Sequence, residues 1–400
     1  MCNKYELRIT RLELLEDEGG TTMLRSQKLP QSGGAEKFYT LELGRFLAAA
    51  AVMLAHWFGE VNTHSVSGRD IFGGFVPPFA VAVQYFFVLS GFVMARAHHQ
   101  DFGKWHAPFK FWWRRGWRIY PVYWLALLIP IYYLHGALDQ HAFAFRIFSL
   151  VPLNTGDFIA PAWSLRYEVG FYLVFGIALL PFIGRWVLAL WIAVVLWNCV
   201  PYGLLTVLHI PHPIWLHGFI KATGIRLFDG ADSYFLAGLL AGAISLKQPL
   251  SLRVSTVVTV LAVLGMLLFQ HDFDWGRSYG TSKLQVMAYA LILAALLLGL
   301  TGVEQRGGLR LPRFCGTLGA LSYPLYITHT AVMLIFSVEL QKVKWSLPTL
   351  YAICLAGIIV YLAIAWAVTA LYDQPIQRGV RRFNQVWAAR GQRVAKAPSL

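Results

Sequence analysis

The sequence is poor in charge and in cysteine chemistry. Only 14% of its 400 residues are charged while 57% are hydrophobic, and the mean hydropathy is +0.53. That balance excludes an ordinary soluble globular chain. Its four cysteines, Cys2, Cys199, Cys315 and Cys354, show no CxxC spacing, so neither a disulfide framework nor a thiolate zinc site is expected. No internal repeat is visible, which excludes a solenoid. Residues 1–37 lack the apolar core of a signal peptide and contain Met23 as an alternative start; they are expected to form a disordered cytoplasmic extension.

What is abundant is long apolar runs. Crossing about 30 Å of hydrocarbon takes about 20 apolar residues. Ten segments approach that length: 39–58, 79–97, 119–134, 163–182, 186–206, 231–245, 254–270, 284–301, 317–338 and 347–372. The chain is therefore expected to be all-α, a polytopic membrane protein with about ten transmembrane helices and both termini cytoplasmic. With that topology, 25 of the 34 lysines and arginines fall on the inner side, the asymmetry expected of inner loops. Topology thus accounts for the net charge of +14, and no nucleic-acid partner is needed. Residues 38–375 form the expected membrane domain. The basic tail, 376–400, mixes arginine with Val, Phe and Trp at helical spacing and reads as a helix on the inner membrane surface.

Polar residues inside such spans are costly and mark candidate sites. Arg45 and His56 are eleven residues apart, which on a helix is about 20° of rotation and roughly 16 Å of rise. They share a face at opposite depths, with Glu42 one turn before Arg45; pairing of Arg45 with Glu42 is the simpler alternative. Arg115 and Arg118 lie among tryptophans and tyrosines in "KFWWRRGWRIYPVYW". That setting suits a phosphorylated, aromatic ligand and equally suits a membrane anchor. Ser164, Glu168 and Tyr172 follow one stripe, with Glu168 at a depth similar to that of His56. A carboxylate there would hold the imidazole as a general base, whereas Arg166 could instead neutralise it. Ser322, Tyr326 and His329 form another stripe near mid-membrane; they could wall the same cavity or bond helix to helix, as could Gln84. Ser164 is in no GxSxG context, and His209, His212 and His217 lack acidic or cysteine partners, so neither a serine nucleophile nor a metal site is expected.

The segments "LELGRFLAAAAVMLAHW", "FFVLSGFVM", "RRGWRIYPVYW", "PAWSLRYEVGFYL", "FLAGLLAG" and "LGALSYPLYITH" together resemble the acyltransferase-3 type of membrane acyltransferases, in family order and over roughly residues 38 to 375. The resemblance implies acyl transfer, commonly of acetyl, from acyl-CoA to hydroxyls of glycans and related molecules. Its Arg and His pair falls on Arg45 and His56, its RxxR motif on Arg115 and Arg118, and its WSLxxE motif on Trp163, Ser164, Leu165 and Glu168. Where the family usually has Asp this chain has Glu42, and where it commonly has Glu before a late Pro this chain has Asp373 before Pro375.

The expected mechanism has acyl-CoA as co-substrate and no metal. Its phosphates meet Arg45, Arg115 and Arg118, and His56, oriented by Glu168, deprotonates the acceptor. Direct transfer and an acyl-histidine intermediate both stay open. The expected partners are a glycan or lipid-linked saccharide and the lipid bilayer, in a bacterial cytoplasmic membrane. A small metabolite such as a macrolide sugar is the alternative acceptor. A transporter or flippase is the alternative of another class.

Overall fold

The computed structural model describes residues 12–15, 23–26, 38–65, 70–77, 79–133, 141–153, 157, 159–208, 224–228, 230–269, 283–341 and 344–395. The chain divides into residues 1–37 and 38–400. In the first unit, strands β1 (Leu12–Leu15) and β2 (Met23–Ser26) pair antiparallel, Leu12 opposite Ser26 and Leu15 opposite Met23. No regular structure was expected there. Five of the eight strand residues are apolar, and pairing satisfies their backbone groups.

The second unit is helical throughout its described elements. These are α1 (Tyr39–Thr63), α2 (Phe79–His98), α3 (Ala107–Tyr133), α4 (His141–Ser149), α5 (Ala162–Ala178), α6 (Gly184–Val207), α7 (Asp232–Lys247), α8 (Leu252–Phe269), α9 (Lys283–Gln305), α10 (Phe314–Leu340), α11 (Leu347–Val368) and α12 (Gln374–Ala395). A π-helical turn, Thr369–Asp373, joins α11 to α12. Each of the ten apolar segments falls on one of these helices. Among the described residues seven helices are long and apolar enough to cross a membrane by length and composition. The other three segments fall on α3, whose first half carries Lys110, Arg114, Arg115 and Arg118, and on α5 and α7, of 17 and 16 residues. The protein is a multi-pass membrane protein.

Contacts between helix ends establish the alternation. At the basic end, the Glu304 carboxylate at the end of α9 accepts the Tyr39 and Thr40 backbone N–H groups at 2.7 and 2.9 Å and the Thr40 hydroxyl. It thereby satisfies donors that the first turn of α1 leaves open and places negative charge against the helix dipole. At the same end Arg306 donates to the carbonyls of Pro249 and Leu250. At the opposite end Ser65 bridges Trp345, and the Tyr351 hydroxyl donates to the Ile71 carbonyl at 2.7 Å.

α1 packs most extensively on α10, and α2 on α7. The second pairing explains "FLAGLLAG": a Cβ at Gly91 would strike the Phe235 carbonyl, one at Gly238 the Val88 carbonyl, and one at Gly242 the Phe92 carbonyl. Backbones approach closely because these residues have no side chain, the packing that replaces hydrophobic drive between helices in lipid. Trp57, fully buried, donates its indole N–H to the Cys354 carbonyl at 3.0 Å and fixes α1 against α11.

Candidate active site

α2, α3, α5 and α10 surround a cavity of about 150 Å³ against the first half of α1. It brings together Arg45, Arg115, Arg118, Ser164, Glu168, Tyr172, Ser322 and Tyr326, eight of the residues singled out above, from four different helices. Val83, Phe86, Phe87, Leu89, Val93 and Met94 form an apolar wall from α2. Polar groups in such a space interact more strongly than in water.

The three guanidinium groups are held differently. Arg118 Nη1 pairs with the buried Asp373 carboxylate at 3.1 Å, and its Cζ lies 5.6 Å from the Tyr323 ring centre. Asp373 occupies the π turn, where the extra backbone residue sets the α11–α12 junction, and Gln377 Nε2 also donates to it at 3.2 Å. Arg45 faces Glu42 at 3.8 Å, an ion pair without hydrogen-bond contact, so the simpler reading of Arg45 is realised in weak form while the residue also lines the cavity. Gly319 of α10 makes room for Glu42, whose carboxylate fills the space a Cβ would need. Arg115 rests against the rings of Tyr172 and Phe111, 5.4 and 5.8 Å from their centres. It makes no ion pair among the described residues.

Glu168 accepts hydrogen bonds from the Ser90 hydroxyl at 2.9 Å and from the Tyr172 hydroxyl one turn away. Ser164 and Tyr326 hydroxyls are 2.6 Å apart across α5 and α10, and Ser164 also donates to the Pro161 carbonyl. The expected contest between Glu168 and Arg166 does not arise. Arg166 is fully buried, pairs with Asp157 at 2.7 Å and donates to the carbonyls of Arg146 and Val151.

The expected pairing of His56 with Glu168 is corrected by the packing. His56 Nδ1 is 2.8 Å from His329 Nε2, and the two rings stack with centres 5.1 Å apart. α1 lies along α10, whereas α5 packs chiefly on α6 and α3, so the ring turns to α10. His329 Nδ1 is 3.2 Å from the Leu325 carbonyl. A carbonyl only accepts, so the network assigns the His329 proton to Nδ1 and makes His329 Nε2 the acceptor. His56 Nδ1–H then donates to it. The lone pair of neutral His56 is left on Nε2, the arrangement a general base requires.

His329 is buried one turn beyond Tyr326, with the two rings 6.2 Å apart. Neither His56 nor His329 lines the cavity; the pair adjoins it through Tyr326, whose side chain does. Gln84 is buried on α2, its Oε1 without a partner among the described residues, and it does not line the cavity. Trp163 packs on Phe87 and Tyr167, with ring centres 6.3 and 6.2 Å away, and supports α5 against α2. Residues missed from sequence are Ser90 and Tyr323. Ser90 carried a signal, a lone hydroxyl in the apolar "FFVLSGFVM"; Tyr323 carried none beyond standing next to Ser322.

Cys199, Cys315 and Cys354 are buried. His209, His212 and His217 lie outside the described residues.

The chain is similar to the exopolysaccharide production protein ExoZ of Rhizobium meliloti (strain 1021), 27% identical over 314 residues, which cover 71% of this chain and 86% of that protein. No solved structure matches it. A family model described as an acyltransferase domain matches residues 38–369, the helical unit with every cavity residue named above. The chain therefore belongs to the acyltransferase-3 family and is a membrane acyltransferase.

Proposed function

We propose that this acyltransferase moves an acyl group, acetyl in the simplest case, from acyl-CoA at the basic, cytoplasmic end to a hydroxyl of a glycan or lipid-linked saccharide presented from the opposite side, in a bacterial cytoplasmic membrane. The observation that carries the reading is the convergence of Arg45, Arg115 and Arg118 on one cavity with the His56–His329 pair beyond it. Of the three guanidinium groups only Arg118 is held by a carboxylate within hydrogen-bond distance, which leaves donors for phosphate oxygens, and Tyr172, Tyr323 and Phe111 offer ring faces beside them. The name of ExoZ, an exopolysaccharide production protein, supports a glycan acceptor over a small metabolite.

In the proposed reaction His56 Nε2 takes the proton of the acceptor hydroxyl. The oxygen attacks the thioester carbonyl, an ester C–O bond forms, and the C–S bond breaks with release of CoA thiolate, which is reprotonated. Glu168 holds Tyr172 and Ser90 and thereby the shape of the cavity.

The test is transfer of labelled acetyl from acetyl-CoA by the purified protein in lipid nanodiscs, paired with NMR of surface glycans from cells with and without the gene. Label transfer and a lost O-acetyl signal support the reading. Unchanged glycan O-acetylation in the deletion would overturn the glycan acceptor, and near-normal turnover by His56→Ala would overturn the role of His56.

A further inference from the structure

A second cavity, about 800 Å³, lies between α2, α5, α6, α7 and α9 and shares no lining residue with the first. Its size is in the roughly 300–1,000 Å³ range of small-molecule sites. Its walls are apolar, and Leu196, Leu240 and Leu291 are exposed side chains facing it. A groove open at such residues in a membrane protein is reached from the hydrocarbon.

Its polarity is confined to its ends. Ser233, at the start of α7, already donates to the Gly230 carbonyl. At the other end stand His99 and Lys247, and no carboxylate lines the groove. Lys247 is exposed and forms no ion pair among the described residues. His99 Nδ1 is bonded to the Arg96 carbonyl at 2.9 Å, which turns Nε2 outward from its own helix turn. Arg96 is committed elsewhere, to the Ser245 hydroxyl at 2.7 Å and the Phe38 ring at 4.8 Å. Ser233 to Lys247 is fourteen residues of helix, about 21 Å, longer than the ~15 Å half-thickness of the hydrocarbon core. The groove therefore combines a lipid-length apolar slot with one cation, Lys247, at the end to which the basic residues of the sequence segregate.

We propose that this groove binds one anionic glycerophospholipid of the inner leaflet, its phosphate against Lys247 and an acyl chain along α7. The charge pattern selects this occupant: a zwitterionic lipid carries its own ammonium beside the phosphate and gains less from Lys247 than an anionic one, and a free phosphate gains nothing from the apolar walls.

The full-length protein in nanodiscs of equal phosphatidylglycerol and phosphatidylethanolamine with matched chains, released and weighed by native mass spectrometry, tests this. Wild type is expected to retain one phosphatidylglycerol at least fivefold over phosphatidylethanolamine. Lys247→Gln, a change at an exposed position, is expected to bring that ratio near one, and Leu240→Trp to lower retention of both lipids. Equal retention by wild type would overturn the proposal, as would an unchanged ratio in Lys247→Gln; that variant keeps the test decisive if Leu240→Trp does not fold.

Discussion

His56 Nδ1 and His329 Nε2 lie 2.8 Å apart although 273 residues separate them in the chain. His329 Nδ1 faces the Leu325 carbonyl of its own helix, so this pair fixes the tautomer of His56 and the orientation of its ring. A histidine on α10 thus does for His56 what the sequence assigned to the Glu168 carboxylate.

Replacing His329 with Ala removes one hydrogen-bond partner of His56. A buried donor left unsatisfied costs about 1–3 kcal/mol, so kcat is expected to fall about 10- to 100-fold with the KM for acyl-CoA little changed. His329→Gln, which can still accept from His56 Nδ1–H, is expected to recover part of the loss. Steady-state kinetics of the two variants check this, and a KM effect without a kcat effect would contradict it.

Arg115 has ring contacts and no carboxylate among the described residues, so its charge is available to a ligand. Hydrogen bonds to charged groups contribute about 1.5–3 kcal/mol. Arg115→Ala is expected to raise the KM for acyl-CoA about tenfold or more. Arg114, exposed and outside the cavity lining, serves as the control: Arg114→Ala should leave KM within about twofold, as surface charges generally do.

Asp373 is buried, 3% exposed, and holds Arg118, which is a quarter exposed. Breaking a buried pair costs about 3–5 kcal/mol and an exposed one about 0–1, and this pair lies between them. Asp373→Asn is expected to destabilise by about 1–3 kcal/mol, read as a lower thermal midpoint in detergent. Asp373→Glu keeps the charge and is expected to lose less.

The α2–α7 contact predicts a contrast between two glycines. Any Cβ at Gly238 meets the Val88 carbonyl, whereas one at Gly379 in α12 meets nothing within 4 Å. Gly238→Val is expected to abolish folded protein on size-exclusion chromatography. Gly379→Ala is expected to leave folding intact, with helix propensity gaining about 0.5–1 kcal/mol.

Much of the site was legible because it obeys helical period. Ser164, Glu168 and Tyr172 on one stripe, and Ser322 and Tyr326 on another, follow from spacing alone, and all five line one cavity. Arg45 shares that cavity for the same reason. His56 shows where the period stops helping. Depth can be read along one helix, but which neighbour faces a side chain is set by packing between helices, and the α1–α10 contact decided it. Ser90 was hidden for the same reason: its hydroxyl has meaning only once α2 lies beside α5 and Glu168. Its seven apolar neighbours in "FFVLSGFVM" told of a span and nothing of a partner.

The sequence by itself determined a helical membrane protein, because hydrocarbon admits unpaired backbone groups only at great cost and the long apolar runs leave helix as the solution. It also determined the family and the end at which the basic residues gather. Only the tertiary structure decided that Arg118 meets Asp373, that His56 meets His329, and that Glu168 meets Ser90. Those pairings join residues tens to hundreds apart in the chain, and the helices that carry them approach backbone to backbone at Gly91 and Gly238, a property of two packed helices that no single helix carries.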